Sequence, residues 1–259
     1  MKKIRFSVVT VCLNAEESIE ATINSIISQY FNLFEFIVVD GGSTDSTLEI
    51  LEKYRGSISK LISEPDAGIY NAMNKGAEIA TGDYIIYMNA NDIFYNSDVL
   101  TRVDTAIGSL DYALIYGDYL LNIGSNRYYV SAASDCKGQI PTSHQAIFCN
   151  AEKLRKIRFS ENYILAADYN LINELWKIGA NLKLSIPICI MESIGLSSNR
   201  KGLIIHEHFR INKIRYGFSF ALYKAFLSFS SMQIANMFSA LGMSWIREFM
   251  RRFKGWRAT

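Results

Sequence analysis

Four apolar stretches of this sequence end in amides or carboxylates, residue types that bind hydroxyl groups, N–H groups and metal ions. The stretches are FSVVTVC, EFIVVD, SKLISE and YIIYMN, and the last one runs on into the residues AND. Amide and carboxylate oxygens accept hydrogen bonds, and they are ligands that Mg²⁺ and Mn²⁺ prefer. If the four ends meet, they form one polar binding site. Its residues would be Asn14, Asp40, Asp66, Asn89, Asn91 and Asp92.

The pattern of the surrounding chain predicts that these ends do meet. The predicted strands cover residues 6–12, 35–40, 59–64 and 84–89. The predicted helices between them cover residues 15–29, 44–55 and 69–80. Strands that alternate with helices at this spacing predict an α/β fold with a mostly parallel central sheet, flanked by helices on both faces. In such sheets the ligand lies beyond the carboxyl ends of the strands.

The segment VVDGGSTDST, residues 38–47, has the composition of a ligand-binding loop. Glycines let the backbone approach a ligand closely, and a helix N-terminus favours negative charge. The Asp40 carboxylate is suited to ribose hydroxyls or to an N–H group of a base. The segment matches neither GxxxxGK[ST] nor GxGxxG, which disfavours a P-loop and a dinucleotide fingerprint. A plain turn capped by Ser43 or Thr44 is the alternative.

Charge is spread unevenly along the 259 residues. Residues 1–200 contain 17 Lys+Arg and 23 Asp+Glu, a net charge of −6, whereas residues 201–259 contain 10 and 2, a net charge of +8. Flexible residues, GLSSNRKG, join the two parts at 195–202. We therefore predict a domain over 1–200 and a C-terminal helical, basic extension over 201–259 that meets an anionic surface. No nucleic-acid partner is predicted.

Three segments together resemble a known family. SVVTVCLNAEESIEATINSIISQ, VVDGGSTDST and DAGIYNAMNKGAEIATGDYIIYMNAND are similar, in order and spacing, to the nucleotide-sugar domain of family 2 inverting glycosyltransferases with the GT-A fold. Within that family they look most like bacterial polysaccharide and O-antigen enzymes. The resemblance extends from about residue 6 to about residue 200, and it implies a GT-A-like fold for the first domain.

The resemblance implies roles for residues on the donor side of the site. Asn14 and Asp40 would belong to the nucleotide pocket. Asp66, Asn71 and Lys75 would line the donor side of the sugar-nucleotide site.

The resemblance also implies that the turn Ala90-Asn91-Asp92 binds a metal and the donor diphosphate. Many relatives read ADD at this turn and DDGS at residues 40–43, so this chain lacks one carboxylate at each place. A departing diphosphate gains negative charge, which a cation or fixed positive groups must offset. Because Mg²⁺ is often held by one or two carboxylates plus substrate phosphates, we predict Mn²⁺ or Mg²⁺, weakly held by Asn91 and Asp92 with help from the donor. Metal-free catalysis with positive charge from Lys75 is the alternative.

Asp168 is the candidate catalytic residue. It stands at the head of an amphipathic helix in ILAADYNLINELWKIG, residues 164–179. Its position alone would also suit a helix N-cap. In the resembling family, the acid of an ED or AD pair at this place is the general base that deprotonates the acceptor hydroxyl. A single base suffices for inversion in one displacement.

Three histidines are further candidates. His144, followed by Gln145 in PTSHQAIFCN, would contact the sugar or phosphate of the donor according to the resemblance, and a purely structural histidine is the alternative. His206 and His208 in IIHEHF resemble a metal-binding pair at alternate positions, although no third ligand stands nearby in the sequence.

The extension contains 22 consecutive uncharged residues between Lys224 and Arg247. Scattered Ser, Gln and Asn lower their hydropathy below that of a typical membrane span. Farther on, apolar and aromatic residues recur at helical spacing beside Arg and Lys, a pattern typical of helices on an anionic membrane surface. Packing on the domain, self-association into a homo-oligomer and true spanning are the alternatives.

These observations predict an inverting glycosyltransferase that moves a sugar from a nucleotide diphosphate donor to a carbohydrate acceptor. By resemblance the donor is a UDP-sugar, and the acceptor is a lipid-linked saccharide at the cytoplasmic face of a bacterial inner membrane, where the protein would be peripheral. A catalytically weak sugar-nucleotide-binding module is one alternative. A sugar nucleotidyltransferase is another, although Asn14-Ala15-Glu16-Glu17 stands where such enzymes have a glycine-rich basic loop.

Overall fold

The structure, a computed structural model, describes residues 5–193, 200–240 and 257–258. The predicted joint at 195–202 lies mostly outside these residues, and so do the recurring apolar and basic residues of 241–256. The division into a domain at 1–200 and an extension at 201–259 therefore stays a prediction.

The first part of the chain forms a parallel sheet, as predicted. Its strands are β1 (Phe6–Cys12), β2 (Phe34–Asp40), β3 (Lys60–Ser63) and β4 (Tyr84–Tyr87). They lie in the order β3-β2-β1-β4, and all three neighbouring pairs are parallel. The connecting helices are α1 (Ile19–Ile27), α2 (Thr47–Lys53) and α3 (Ile69–Ile79).

Helix α1 begins later than the pattern predicted because the residues before it are bonded to the next loop. The backbone N–H groups of Asn14, Ala15 and Glu16 donate to side chains of residues 43–47. Asn14 itself has a φ of +48°, in the left-handed region that a helix start excludes. The loops after β1 and β2 are therefore held together as one unit.

The second part of the chain extends the sheet with antiparallel strands. Its elements, in order, are β5 (Ile93–Phe94), α4 (Val99–Ile107), β6 (Tyr112–Ile123), β7 (Asn126–Val130), a 3₁₀ helix (His144–Ala146), β8 (Ile147–Asn150), α5 (Ala151–Ile157), α6 (Ala167–Lys177) and β9 (Ala180–Glu192). Strand β8 lies antiparallel between β4 and β6, while β9 runs parallel to β6 on its other edge. The sheet is therefore mixed, with its parallel half at the β3 edge. The remaining elements are α7 (Lys201–Tyr216), α8 (Phe218–Ala240) and β10 (Arg257–Ala258).

Helices cover both faces of the sheet, which is why the parallel strands are continuous apolar runs. Alternate residues of β1 belong to two different buried clusters: Phe6 and Val8 to one, Val9 and Val11 to the other. The first cluster includes residues of α1 and α4, and the second includes residues of α3, α5 and α6. This arrangement confirms the α/β fold class.

The antiparallel direction of β8 determines which further residues lie at the sheet edge formed by the carboxyl ends of β1 to β4. Ile85 of β4 pairs with Cys149, near the end of β8, so the start of β8 lies level with the carboxyl end of β4. The 3₁₀ helix that precedes β8 therefore lies at the same edge as the ends of β1 to β4. This places His144 and Gln145 among the predicted ligand residues.

Candidate functional site

Asp40 organises the loop that follows β2. Its carboxylate is fully buried and accepts hydrogen bonds from the N–H groups of Gly42 (3.2 Å) and Ser43 (3.1 Å) and from the Ser63 hydroxyl (2.8 Å). Asn14 holds the same loop, since its side-chain oxygen accepts from the Thr44 N–H at 2.9 Å. Both residues thus shape the loop through protein contacts, and their contact with a nucleotide stays a prediction.

The Asp66 carboxylate occupies the space beside Gly41. A Cβ atom at residue 41 would lie 2.4 Å from Asp66 Oδ2, which is closer than two such atoms can approach. The other oxygen, Oδ1, accepts from the Gly68 N–H at 2.8 Å and so fixes the carboxylate in place. The Asp66 carboxylate therefore fills the space that a side chain at residue 41 would enter. No local sequence pattern indicates this contact, because it depends on the packing of two separate loops.

The positive charge of Lys75 is paired within the protein. Its Nζ atom lies 2.7 Å from a carboxylate oxygen of Glu64 and 3.4 Å from the carbonyl oxygen of Pro65. A cation that is already paired stabilises a departing phosphate less than a free one. This contact weighs against the alternative in which Lys75 replaces a metal.

Asn71 and Asn74 connect α3 to the loop before α6. The buried Asn74 amide exchanges two hydrogen bonds of 2.9 Å with the backbone of Phe159. The amide nitrogens of Asn71 and Asn74 both lie 3.1 Å from the Glu161 carboxylate. Asn71 is therefore engaged within the protein, and its predicted role on the donor side stays a prediction. Glu161 was missed in the sequence, since no local pattern marks it.

The turn after β4 offers one carboxylate and two amides. Asn91 is exposed, with a φ of +88°, whereas Asp92 is only 6% exposed and accepts from Gln145 Nε2 at 3.0 Å. Burial raises the pKa of Asp92 to about 6, although His144 and Gln145 act in the opposite direction. The side-chain oxygen of Asn89 is buried and has no hydrogen-bond partner among the described residues.

These oxygen donors fit a weakly held divalent cation. Across the described ranges, no group of three or more His, Cys, Asp or Glu side chains is placed to bind a metal. The orphaned Asn89 oxygen and the Asp92 carboxylate are hard oxygen ligands, as Mg²⁺ and Mn²⁺ prefer. A cation held by so few charges needs further ligands, and the phosphates of a donor are of that kind.

Asp168 is ionised and held in place by three neighbours. Its Oδ1 accepts from the Tyr169 N–H at 2.7 Å and from the Tyr70 hydroxyl at 3.2 Å, while Oδ2 lies 3.1 Å from His144 Nδ1. Burial acts to raise the pKa of Asp168, but the hydrogen bond and charge of His144 outweigh it, and the pKa lies below its usual value. Ala166 is the N-cap of α6, so Asp168 does not have the alternative role of a cap.

Tyr70 was not among the predicted site residues. Burial, together with the charge of Asp168, raises the pKa of its hydroxyl, which therefore stays protonated and acts as a donor. Tyr70 stands one turn before the Asn74 contact, on the first turn of α3. Its type and position gave no sign that α3 and α6 meet.

His144 links the candidate base to the end of β4. Its Nδ1 faces Asp168, and its Nε2 lies 3.4 Å from the amide nitrogen of Asn89. Burial acts to lower the pKa of His144, but the Asp168 hydrogen bond and charge raise it above the usual value. Both ring nitrogens thus have protein partners, while the predicted contact with the donor stays a prediction.

Helix α7 supports the helix that carries Asp168. The buried Glu207 carboxylate accepts from the N–H groups of Ile164 (2.8 Å) and Leu165 (2.9 Å), just before α6. The Tyr169 hydroxyl donates to Asn212 at 2.8 Å. The extension therefore begins with a helix that packs directly on the candidate site.

His206 and His208, which resemble a metal-binding pair in the sequence, do not form one, because both lie on α7. Residues two apart on a helix point to different sides. The His208 ring stacks on Tyr169 with centroids 4.1 Å apart, whereas His206 is exposed. Burial lowers the pKa of His208, consistent with a packed, neutral ring.

Two curated relatives resemble this chain. PGL/p-HBAD biosynthesis glycosyltransferase of Mycobacterium bovis is 34% identical over 150 residues, which cover 55% of this chain and 58% of the relative. Amylovoran biosynthesis glycosyltransferase AmsB of Erwinia amylovora is 31% identical over 201 residues, which cover 69% of this chain and 66% of the relative. The matched part thus spans about three fifths to two thirds of each relative.

Two solved structures share the fold. Mannosyltransferase PcManGT of Pyrobaculum calidifontis, in complex with GDP-Man and Mn²⁺, matches with a TM-score of 0.64 at 14% identity, over 97% of this chain and 81% of that one. Glucosyl-3-phosphoglycerate synthase of Mycobacterium tuberculosis, in complex with Mn²⁺, UDP and glucosyl-3-phosphoglycerate, matches with a TM-score of 0.59 at 16% identity, over 82% and 80%. The likeness confirms the GT-A fold that the resemblance implied.

The glycosyl transferase family 2 model matches residues 7–168, more than half of the chain. The match begins in β1, includes the loops at Asp40, Asp66 and Asp92, and ends at Asp168. It therefore covers the parallel sheet and the candidate site that lies at its edge. With this match, the chain belongs to the glycosyl transferase family 2.

Proposed function

We propose that this protein transfers a sugar from a nucleotide diphosphate donor to a hydroxyl group of a carbohydrate acceptor, with inversion at the anomeric carbon. The observation that carries the proposal is the Asp168 carboxylate, which is ionised and fixed at the edge where the strand ends converge. A general base for one displacement needs this combination of charge and position. Family membership weighs against the nucleotidyltransferase alternative.

The proposed reaction is a single displacement. Asp168 takes the proton of the acceptor hydroxyl as that oxygen attacks the anomeric carbon. The bond from this carbon to the donor phosphate oxygen breaks, and the nucleoside diphosphate leaves with the electron pair. Tyr70 and His144 hold the carboxylate by hydrogen bonds, so little reorientation is needed during proton transfer.

We propose that the donor lies over the loops after β1 to β4. Asn14 and Asp40 shape the nucleoside side, and Asp66 presents a carboxylate to a base or ribose group. Asn91 and Asp92 would hold Mn²⁺ or Mg²⁺, which neutralises charge on the departing diphosphate when bound. The two similar structures hold different nucleotides, GDP-Man and UDP. A UDP-sugar remains our expectation from the family resemblance.

We propose that the acceptor is a lipid-linked saccharide and that α8 places the protein on an anionic membrane surface. Large apolar side chains of α8 are half or more exposed: Phe218, Leu222, Tyr223, Phe226 and Phe229. The opposite side of α8 packs on the domain, where the Phe220 ring lies against Gly138. Residues 201–259 carry a net charge of +8, which favours anionic lipid. Among the described residues, no helix combines the length and apolarity that a membrane crossing needs.

The donor proposal is tested by measuring binding and slow hydrolysis of a panel of UDP- and GDP-sugars with Mn²⁺, Mg²⁺ or EDTA. We expect one donor to be hydrolysed, and we expect EDTA to weaken its binding. Asp168→Asn should lower turnover by about 10²- to 10⁴-fold, the usual contribution of a general base, with donor affinity unchanged. Absence of binding by every sugar nucleotide would contradict the proposal. Hydrolysis at the same rate with and without EDTA would still support a sugar transferase, but it would show that the reaction needs no metal.

The membrane proposal is tested by sedimentation with vesicles of phosphatidylglycerol or of phosphatidylcholine. We expect binding to the anionic vesicles only, and we expect Phe226→Ser to weaken it. Leu110→Ser is the matched control, because Leu110 is a similarly exposed apolar residue (63%, against 66% for Phe226) in a different part of the fold. Equal effects of the two substitutions, or equal binding to both lipids, would contradict a specific docking face. A concentration-dependent dimer without vesicle binding would assign α8 to self-association.

A further inference from the structure

His144 contacts the head of a helix and the end of a strand at once. Nδ1 lies 3.1 Å from Oδ2 of Asp168, at the head of α6, and Nε2 lies 3.4 Å from Nδ2 of Asn89, at the end of β4. Asn89 stands two residues before Asn91 in the proposed metal turn. The ring therefore joins the acceptor side of the proposed site to its donor side.

The chemistry of these partners determines which nitrogen carries a proton. An ionised carboxylate only accepts hydrogen bonds, so Nδ1 carries the hydrogen that faces Asp168. The Asn89 amide nitrogen only donates, so it can donate to Nε2 only while that nitrogen carries no hydrogen. The contact with Asp168 thus needs a hydrogen-bond donor at Nδ1, whereas the contact with Asn89 needs an acceptor at Nε2. A side chain with a single polar atom could make only one of them.

Both partners depend on the ring for their orientation. The side chains of His144 and Asp168 are 21% and 17% exposed, which leaves water little access to replace a lost contact. The Asn89 side-chain oxygen has no partner, so among the described residues the contact with Nε2 is the one hydrogen bond that orients that amide. Loss of the imidazole would release the Asn89 amide. In the part of the chain that the structure describes, it would leave the Asp168 carboxylate with only its Oδ1 contacts to Tyr70 and Tyr169.

We propose that His144 is a positioning residue that fixes the base Asp168 through Nδ1 and the Asn89 amide beside the metal turn through Nε2. This inference rests on the proposed function of the site. It gives His144 a role through its neighbours rather than through a donor contact of its own.

Two substitutions separate the contacts. The amide nitrogen of Asn can take the place of Nδ1, so His144→Asn keeps the link to Asp168 and loses the link to Asn89. The longer Gln side chain reaches the place of Nε2, so His144→Gln keeps the link to Asn89 and loses the link to Asp168. Each variant thus serves as the control for the other.

The expected result is a split between turnover and donor affinity. His144→Gln should lower kcat by about 10- to 100-fold, the usual worth of a hydrogen bond to a charged group, with donor Kd unchanged. Without the His144 hydrogen bond the pKa of Asp168 rises, so the acidic limb of the pH–rate profile should move to higher pH. His144→Asn should raise donor Kd several-fold and lower kcat less than His144→Gln does.

The outcomes distinguish this inference from the proposed function. If the natural protein hydrolyses no sugar nucleotide, the proposed function fails. If it is active and both variants lose kcat and affinity to the same extent, or lose only thermal stability, then His144 is a structural residue and this inference fails. Retention of full kcat and affinity by both variants would also overturn it.

Discussion

Asp92 should destabilise the metal-free protein at neutral pH, and Asp92→Asn should relieve this cost. Burial raises the pKa of Asp92 from 3.8 to about 6. At 1.36 kcal/mol per pKa unit, the ionised carboxylate costs about 3 kcal/mol when both folded and unfolded states are ionised. Because the pKa of Asp92 is raised in the folded state, the protein bears no such cost below pH 3.8. Its free energy of unfolding then falls as pH rises from 3.8 through 6. The amide introduced by Asp92→Asn carries no charge, so its contribution to stability does not change with pH.

The assay is urea unfolding of both proteins in EDTA at several values between pH 5 and 8. From the two pKa values, about half of the cost is already present at pH 5, so the stability advantage of Asp92→Asn should grow by about 1.5 kcal/mol up to pH 8. The amide still accepts from Gln145, but its N–H₂ group loses hydration, a cost of about 1–3 kcal/mol that does not depend on pH. The change with pH therefore carries the test, rather than the absolute difference.

Asp168→Asn is the matched control, since the pKa of this buried carboxyl lies below its usual value. The Asp168 charge stabilises the fold above the unfolded pKa, and this contribution is lost as pH falls. The control should therefore be less stable than the natural protein by a constant amount from pH 5 to 8, because this gap narrows only below the unfolded pKa of 3.8, whereas the Asp92→Asn difference changes within the range. A stability difference for Asp92→Asn that stays constant from pH 5 to 8 would refute the reasoning, because it would mean that Asp92 pays no burial cost as an ion.

Three further substitutions test the supports of the site. Glu207→Gln leaves one backbone N–H without an acceptor, so it should lower the free energy of unfolding by about 1–3 kcal/mol and reduce turnover, as checked by urea melts and initial rates. Asn74→Ala removes two hydrogen bonds to Phe159 and should cost about 1–3 kcal/mol, whereas an unchanged melt would show that this loop needs no such support. Gly41→Ala should weaken nucleotide binding in calorimetry with a smaller effect on stability, because the new methyl group displaces Asp66.

The parallel half of the fold was predictable because its signals are local. Continuous apolar strands, amphipathic helices and the polar residues at strand ends identify β1 to β4 and the edge where ligands bind. The antiparallel half was not predictable in this way, since β6 bonds to three strands and its pairs with β9 join residues as far apart as Asn122 and Glu192, about 70 residues along the chain. The position of His144 at the ligand edge follows from the direction of β8, which short-range patterns do not reveal.

The candidate site shows the same division. The types and order of Asn14, Asp40, Asp66 and Asp168 could be interpreted from the sequence, but their partners could not. The position of the Asp66 carboxylate beside Gly41 depends on contact between two loops. The pairing of Lys75 with Glu64 and the burial of Asp92 likewise depend on packing.

The Glu207 carboxylate has a consequence for how this enzyme can be divided or recombined. It comes from beyond residue 200, yet it accepts the two N–H groups that precede the helix carrying Asp168. A chain shortened at residue 200 would lose that acceptor along with Asn212, so it would be a damaged enzyme rather than a minimal one. Chimeras that exchange the C-terminal extensions of related chains should therefore cut at Gly217, after α7, and keep the first helix of the extension with the domain that carries Asp168.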